Sequence, residues 1–128
     1  MKALDIDSQP CLIHTAGTPK AVLIQLTARH ERKTIDSELS LIEQGSQMGF
    51  VFVGIDLQQW ALSLMPWADE AVARDPEVGR HAIDTLDYVT RRLLPYIYNR
   101  YGQLPCILGG YSLGGLFSLW AASECPLF

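Results

Sequence analysis

Short apolar runs alternate along the chain with longer stretches in which apolar residues recur at helical spacing. AVLIQLT at 21–27 is nearly continuous apolar, the pattern of a strand covered on both faces. FVFVGID at 50–56 has the same character and is rich in β-branched and aromatic residues. CLIH at 11–14 predicts a short edge strand, turned by TAGTPK into the 21–27 run. Between these strands, TIDSELSLIEQGSQ at 34–47 puts Ile35, Leu39 and Ile42 on one face of a modest helix, with Thr34 or Asp36 placed to cap it. A clearer helix is expected over 80–101, where Ile83, Leu86, Val89, Leu93, Leu94, Ile97 and Tyr101 form one stripe. Asp87 and Arg91 make a favourable i,i+4 pair on it. Pro95 removes a hydrogen bond and predicts a kink, and Gly102 ends the helix. Residues 57–79 form a long connection with Trp60, Pro66, Trp67, Pro76 and Gly79, a length that goes with function or partial helix. CILGGY at 106–111 is a last short strand. LGGLFSLWAAS at 113–123 is a helix apolar on nearly every side, expected to be buried.

Strand, helix, strand, helix, strand, helix is the order of an α/β domain. It implies a mostly parallel sheet with right-handed crossovers and helices on both faces. The length of 128 residues fits one domain, and 48% hydrophobic with 19% charged residues is ordinary for a globular chain. No apolar run reaches the roughly 18 residues of a membrane span. MKALDIDSQP carries two acids and no apolar block, unlike a secretory leader. The net charge of −4 leaves no basic footprint for nucleic acid. Cys11, Cys106 and Cys125 are odd in number and far apart, which fits reduced thiols in a cytoplasmic protein better than disulfides or a zinc site. Neither a metal nor a cofactor is expected: the glycine-rich turn has no Lys-Ser/Thr after it and no G-x-G-x-x-G spacing.

Within CILGGYSLGG, residues Gly110-Tyr111-Ser112-Leu113-Gly114 spell G-x-S-x-G. Chance places that pattern in a chain of this composition on the order of 5% of the time, so its context must carry the reading. A strand ends at Gly110 and a helix begins near Gly114. A serine forced there into positive φ costs roughly 1–3 kcal/mol, and its neighbours two positions away approach one another, where a Cβ would clash. The gain is a hydroxyl clear of the backbone at the positive end of a helix. The Leu113 N–H then faces the place where an acyl oxyanion forms. A glycine-rich turn needing only close packing is the alternative.

LLPYIYNRYGQLPCILGGYSLGGLFSLWAASECPLF resembles the elbow region of the α/β-hydrolase superfamily, and esterases of the esterase D type in particular. The likeness is specific over 83–128 and looser back through FVFVGIDLQQWALSLMPW to AVLIQLT. The resemblance implies carboxylic-ester hydrolysis with Ser112 as nucleophile and Leu113 N–H in the oxyanion hole. It implies a second donor from the loop after 21–27. Many members carry His-Gly there; here Thr27-Ala28-Arg29 stands in its place, leaving a backbone N–H near Ala28. Tyr111, Trp60, Trp67 and Asp56 are candidates to line a substrate pocket, with loop packing and a solvated turn acid as the alternatives for the last three.

The family runs Ser, then Asp or Glu, then His. Past Ser112 only Glu124 is acidic and no histidine follows. The expectation is therefore a partial α/β-hydrolase fold, an amino-terminal portion lacking the C-terminal strands, the triad acid and the base. Such a chain would be inactive or nearly so until completed, and would then take a small ester. His30, just past the 21–27 strand, is the one upstream candidate for a base, although ARHERKT also reads as a polar loop. His14 and His81 read as structural. Two other functions share the residues. One is acyl transfer at the same site. The other is a non-catalytic interaction module that self-associates through the open sheet edge at 106–111.

Overall fold

The structure, a computed structural model, describes residues 1–128. It opens with a hairpin absent from the expectation above. Strands β1 (Lys2–Ile6) and β2 (Gln9–Ala16) pair antiparallel across Asp7 and Ser8, whose φ values are +51° and +70°. Positive φ at both positions is what a two-residue turn needs to match strand twist. The 11–14 segment is thus part of an eight-residue strand, not an edge.

β3 (Pro19–Ala28) follows after Gly17 and Thr18 but does not pair with β2. β4 (Gly49–Leu57) lies between them, antiparallel to β2 and parallel to β3. β5 (Cys106–Gly110) adds to the far side of β3 in parallel. The order is β1-β2-β4-β3-β5, and the sheet is mixed rather than mostly parallel. The cause is the short Gly17-Thr18 link: parallel strands need a crossover of a dozen or more residues, so two residues can only reverse the chain. The link arches over the first residue of β4. A Cβ on Gly49 would stand 2.1 Å from the Thr18 carbonyl oxygen, which requires glycine there.

Helices cover both faces, as the residue pattern predicts. α1 (Arg32–Gly45) joins β3 to β4 and lies on one face, where Ile35 and Leu39 pack with Leu12, Phe50 and Phe52. Ile42, expected on the same stripe, is 37% exposed. The β4–β5 connection holds α2 (Trp60–Leu64), α3 (Ala82–Tyr88), a π-helical turn at Val89–Leu93 and α4 (Leu94–Tyr101). α5 (Leu113–Glu124) follows β5. These pack on the opposite face around Val22, Ile24, Leu26, Val53, Ile55, Leu93, Ile97 and Phe117. The π turn, with Leu94 N–H donating to Val89 O, sits just ahead of Pro95, so the ladder adjusts before the residue that cannot donate. Ile83 falls outside the buried stripe and is half exposed. No helix is long and apolar enough to cross a membrane.

The open edge expected at 106–111 is present, and the departure lies in the helix that follows it. β5 is an edge strand with no fully buried residue, and Ile107 is 59% exposed. α5 is not buried all round: it buries Gly114, Phe117 and Ala121 against the sheet, while Leu119 is 75% exposed. An apolar residue on every side of a helix states what would gain from cover, and here one flank has no neighbouring element.

Candidate active site

Ser112 stands between the end of β5 and the start of α5 with φ 54° and ψ −114°. Asp7 and Ser8 are the other non-glycine residues with positive φ, and they belong to the hairpin turn. Strain at Ser112 needs a reason, because a side chain there costs roughly 1–3 kcal/mol. The flanking glycines supply the means. A Cβ on Gly110 would lie 2.8 Å from Gly114 Cα and 2.9 Å from its carbonyl carbon. A Cβ on Gly114 would press Trp60 at 3.3 Å. Strand and helix therefore meet backbone to backbone, with the serine side chain exposed at the apex.

The first turn of α5 is closed by Gly114 N–H donating to Tyr111 O at 2.9 Å and Leu116 N–H donating to Ser112 O at 3.1 Å. Leu113 is the first residue of the helix, so its N–H has no acceptor within the helix. An acyl oxygen bound beside Ser112 would find that amide and the positive helix end together.

The sheet brings the β3 terminus to the same place. The β3–β5 register runs to Leu26–Gly110, so Ala28, the last residue of β3, and Ser112, two residues past the end of β5, lie toward the same end of the sheet. The Ala28 N–H is not free: it donates to Glu31 Oε2 at 2.5 Å. No residue pattern announces this contact. Glu31 makes one half of a capping box across a 3-10 turn at Arg29–Glu31; an alanine occupies the cap position, where Ser or Thr would have supplied the other half and marked the motif.

Tyr111 is 71% exposed and borders an open cavity of about 720 Å³ with Gly110, His30, Glu31, Phe52 and Ile107. His30 is thereby on the elbow side of the sheet, exposed on the 3-10 turn. Trp60 packs half-buried beneath Gly114, so it shores up the elbow from the core side. Trp67 is 51% exposed on the long connection, which folds back on itself where Gly79 approaches Ala68 N; a Cβ there would sit at 2.4 Å. Asp56 lies apart from the elbow. Its Oδ2 is 3.7 Å from Arg32 Nη1, its Oδ1 is buried without a partner, and the cavities it borders take no residue from β5 or α5.

The remaining histidines are engaged elsewhere. His14 bonds Glu43 of α1, and His81 sits between Asp84 and Glu77 at 2.9 Å from each. The cysteines are free thiols. Burial pushes Cys106 up to about 12 and raises Cys11, so at neutral pH neither supplies the thiolate that would compete with Ser112. No group of three or more His, Cys, Asp and Glu is placed to hold a metal ion.

A solved esterase shares this fold. The crystal structure of enterochelin esterase from Shigella flexneri matches 98% of the chain with a TM-score of 0.67 at 18% identity. The chain spans 33% of the length of that protein. No protein-family model and no curated protein matches the sequence. Likeness at this identity establishes a common α/β fold. What the site does must come from its own residues.

Proposed function

We propose that this chain carries the nucleophile of a carboxylic-ester hydrolase, with Ser112 attacking the ester carbonyl. The observation that carries the reading is the strained Ser112 backbone, φ 54° and ψ −114°, held by the Gly110–Gly114 contact. Attack of Oγ forms the acyl–oxygen bond as the proton leaves to a base. The oxyanion is held by Leu113 N–H, and collapse expels the alcohol. Water then releases the acyl group, or a second alcohol takes it in the acyl-transfer form of the same chemistry.

The acid and base of the triad belong, on this reading, to chain beyond residue 128, and the 128-residue polypeptide is a cytoplasmic hydrolase's amino-terminal portion. The likeness to one third of an esterase supports this, as does the engagement of His14 and His81 by other carboxylates; His30 borders the elbow cavity, but no acid is bonded to it to orient its ring. Trp60 and Tyr111 shape the elbow surroundings. No metal or cofactor takes part in the proposed reaction.

The test is chemical rescue on the chain as it stands. Incubation with p-nitrophenyl acetate and excess imidazole, which supplies the missing base to the exposed Ser112, should leave one acetyl group on Ser112 by peptide mass spectrometry. Ser112→Ala should remove that adduct without lowering the melting temperature. Acetylation confined to lysines and the amino terminus, identical in both proteins, would refute the reading.

A second reading, an interaction module, is favoured by the β5 edge. Its CILGG segment has neither a charge nor a proline to block pairing, and its Ile107 is exposed. The proposed partner is a second copy of this chain.

A further inference from the structure

The Glu31–Ala28 contact bears directly on the oxyanion site. In the chemistry proposed above, Leu113 N–H at the head of α5 holds the oxyanion, and a second N–H at the end of β3 would strengthen that hold. The β3 candidate for that role is Ala28 N–H, at the strand end that the parallel β3–β5 register carries toward the elbow. Glu31 Oε2 already accepts from it. Glu31 also borders the cavity that Gly109, Gly110 and Tyr111 share.

We infer that Glu31 is a positioning residue that holds the elbow in a resting state, by filling with its own carboxylate the amide that a developing oxyanion needs. The inference rests on the hydrolase reading. Two effects act in the same direction. The carboxylate removes a donor, and its negative charge faces the place where the tetrahedral intermediate would gain one. An amide donating to a carboxylate makes a charge-assisted bond, so an ester oxygen, which is a neutral acceptor, displaces it poorly. The half-buried setting of Glu31 keeps water from screening the contact fully.

The neighbouring charges do not hold Glu31 elsewhere. Arg32 lies against Asp56 rather than Glu31. Thr34 Oγ donates to the Glu31 backbone carbonyl and to Glu38, leaving the Glu31 carboxylate to Ala28. Release of Glu31 thus requires no other ion pair to break.

The test compares the unmodified chain with Glu31→Ala and Glu31→Gln in the imidazole-assisted acetylation of Ser112. Glu31→Ala frees Ala28 N–H and should raise the acetylation rate about tenfold, a fraction of what one oxyanion donor contributes in a closed active site. Glu31→Gln keeps an acceptor on the amide but loses the charge, and should fall between the two. Thermal melting separates this from a cap alone: losing the cap lowers the melting temperature by a few degrees, and a purely structural role would lower stability without raising the rate. Acetylation of Ser112 in the unmodified chain with an equal or slower rate in Glu31→Ala overturns the inference and leaves the hydrolase reading standing. Ser112 unacetylated in all three proteins overturns both.

Discussion

Replacing Gly110 with alanine isolates the contact on which the elbow depends. The new methyl carbon would sit 2.8 Å from Gly114 Cα and 2.9 Å from its carbonyl carbon, with the Gly114 oxygen at 3.2 Å. All three are backbone atoms in the first turn of α5, so no rotamer change relieves them. The strand must part from the helix, and the Phe117 and Ala121 side chains that bury the same helix must move with it. Overpacking of this kind costs roughly 1–3 kcal/mol, and rigid backbone on both sides puts this site near the top of that range. For a chain of this size about 1 kcal/mol corresponds to about 4 °C in melting temperature, so Gly110→Ala should melt about 10 °C lower. The adjacent Gly109 is the internal control. A Cβ there meets nothing within 4 Å, and its φ is not positive. Gly109→Ala should therefore be neutral or stabilising by about 0.4–1 kcal/mol, through the unfolded chain's lost freedom. Circular dichroism melts of the two variants decide it, with Ser112 acetylation followed in parallel. Equal melting temperatures, or a Gly110→Ala protein that keeps the rate of the unmodified chain, would refute backbone contact as the reason for the glycines.

Two further expectations concern the surface. Hydrogen bonds that the His81 ring donates to Asp84 and then Glu77 raise its pKa above the ordinary 6.5, so the folded protein favours the charged ring. The resulting stability is fully present below 6.5 and is lost as pH rises through the raised value. Urea midpoints measured from mildly acid to mildly alkaline pH should fall over that window and flatten in His81→Gln; an unchanged slope would show that the two carboxylates do not act through the ring. At the sheet edge, Ile107→Lys should cost little stability, since the side chain is already 59% exposed, and should abolish concentration-dependent association in sedimentation. Association unchanged in that variant would move any self-pairing away from β5.

What could be read from residues alone follows the distance over which each feature is specified. The elbow was legible because its constraint acts between Gly110 and Gly114, four positions apart, and appears as two glycines around one serine. The α/β layering was legible because the apolar runs at 21–27 and 50–56 are both covered, and because α1 shows Ile35 and Leu39 on one face. The mixed sheet was not. β4 enters between β2 and β3 by pairing Cys11 with Ile55 and Val22 with Val51, and no local pattern announces which strand lies between two others. β1 escaped notice because KALDI buries only Ile6, and its turn uses Asp7 and Ser8 in place of the glycine that marks most such hairpins. The Glu31 contact escaped for a related reason: an alanine at the cap leaves half of a two-residue signature. α5 shows the opposite limit. Its sequence is apolar on every side, yet Leu119 is 75% exposed while Phe117, two residues earlier, is fully buried. Hydrophobicity states a preference for cover, and burial is that preference met by a neighbour. On its covered side α5 meets β5, β3 and α2, which carries Trp60; on the other flank Leu119 is left to solvent. The strained Ser112 backbone does not depend on that cover, because the contacts that hold it come from β5, α5 and the residues beneath them.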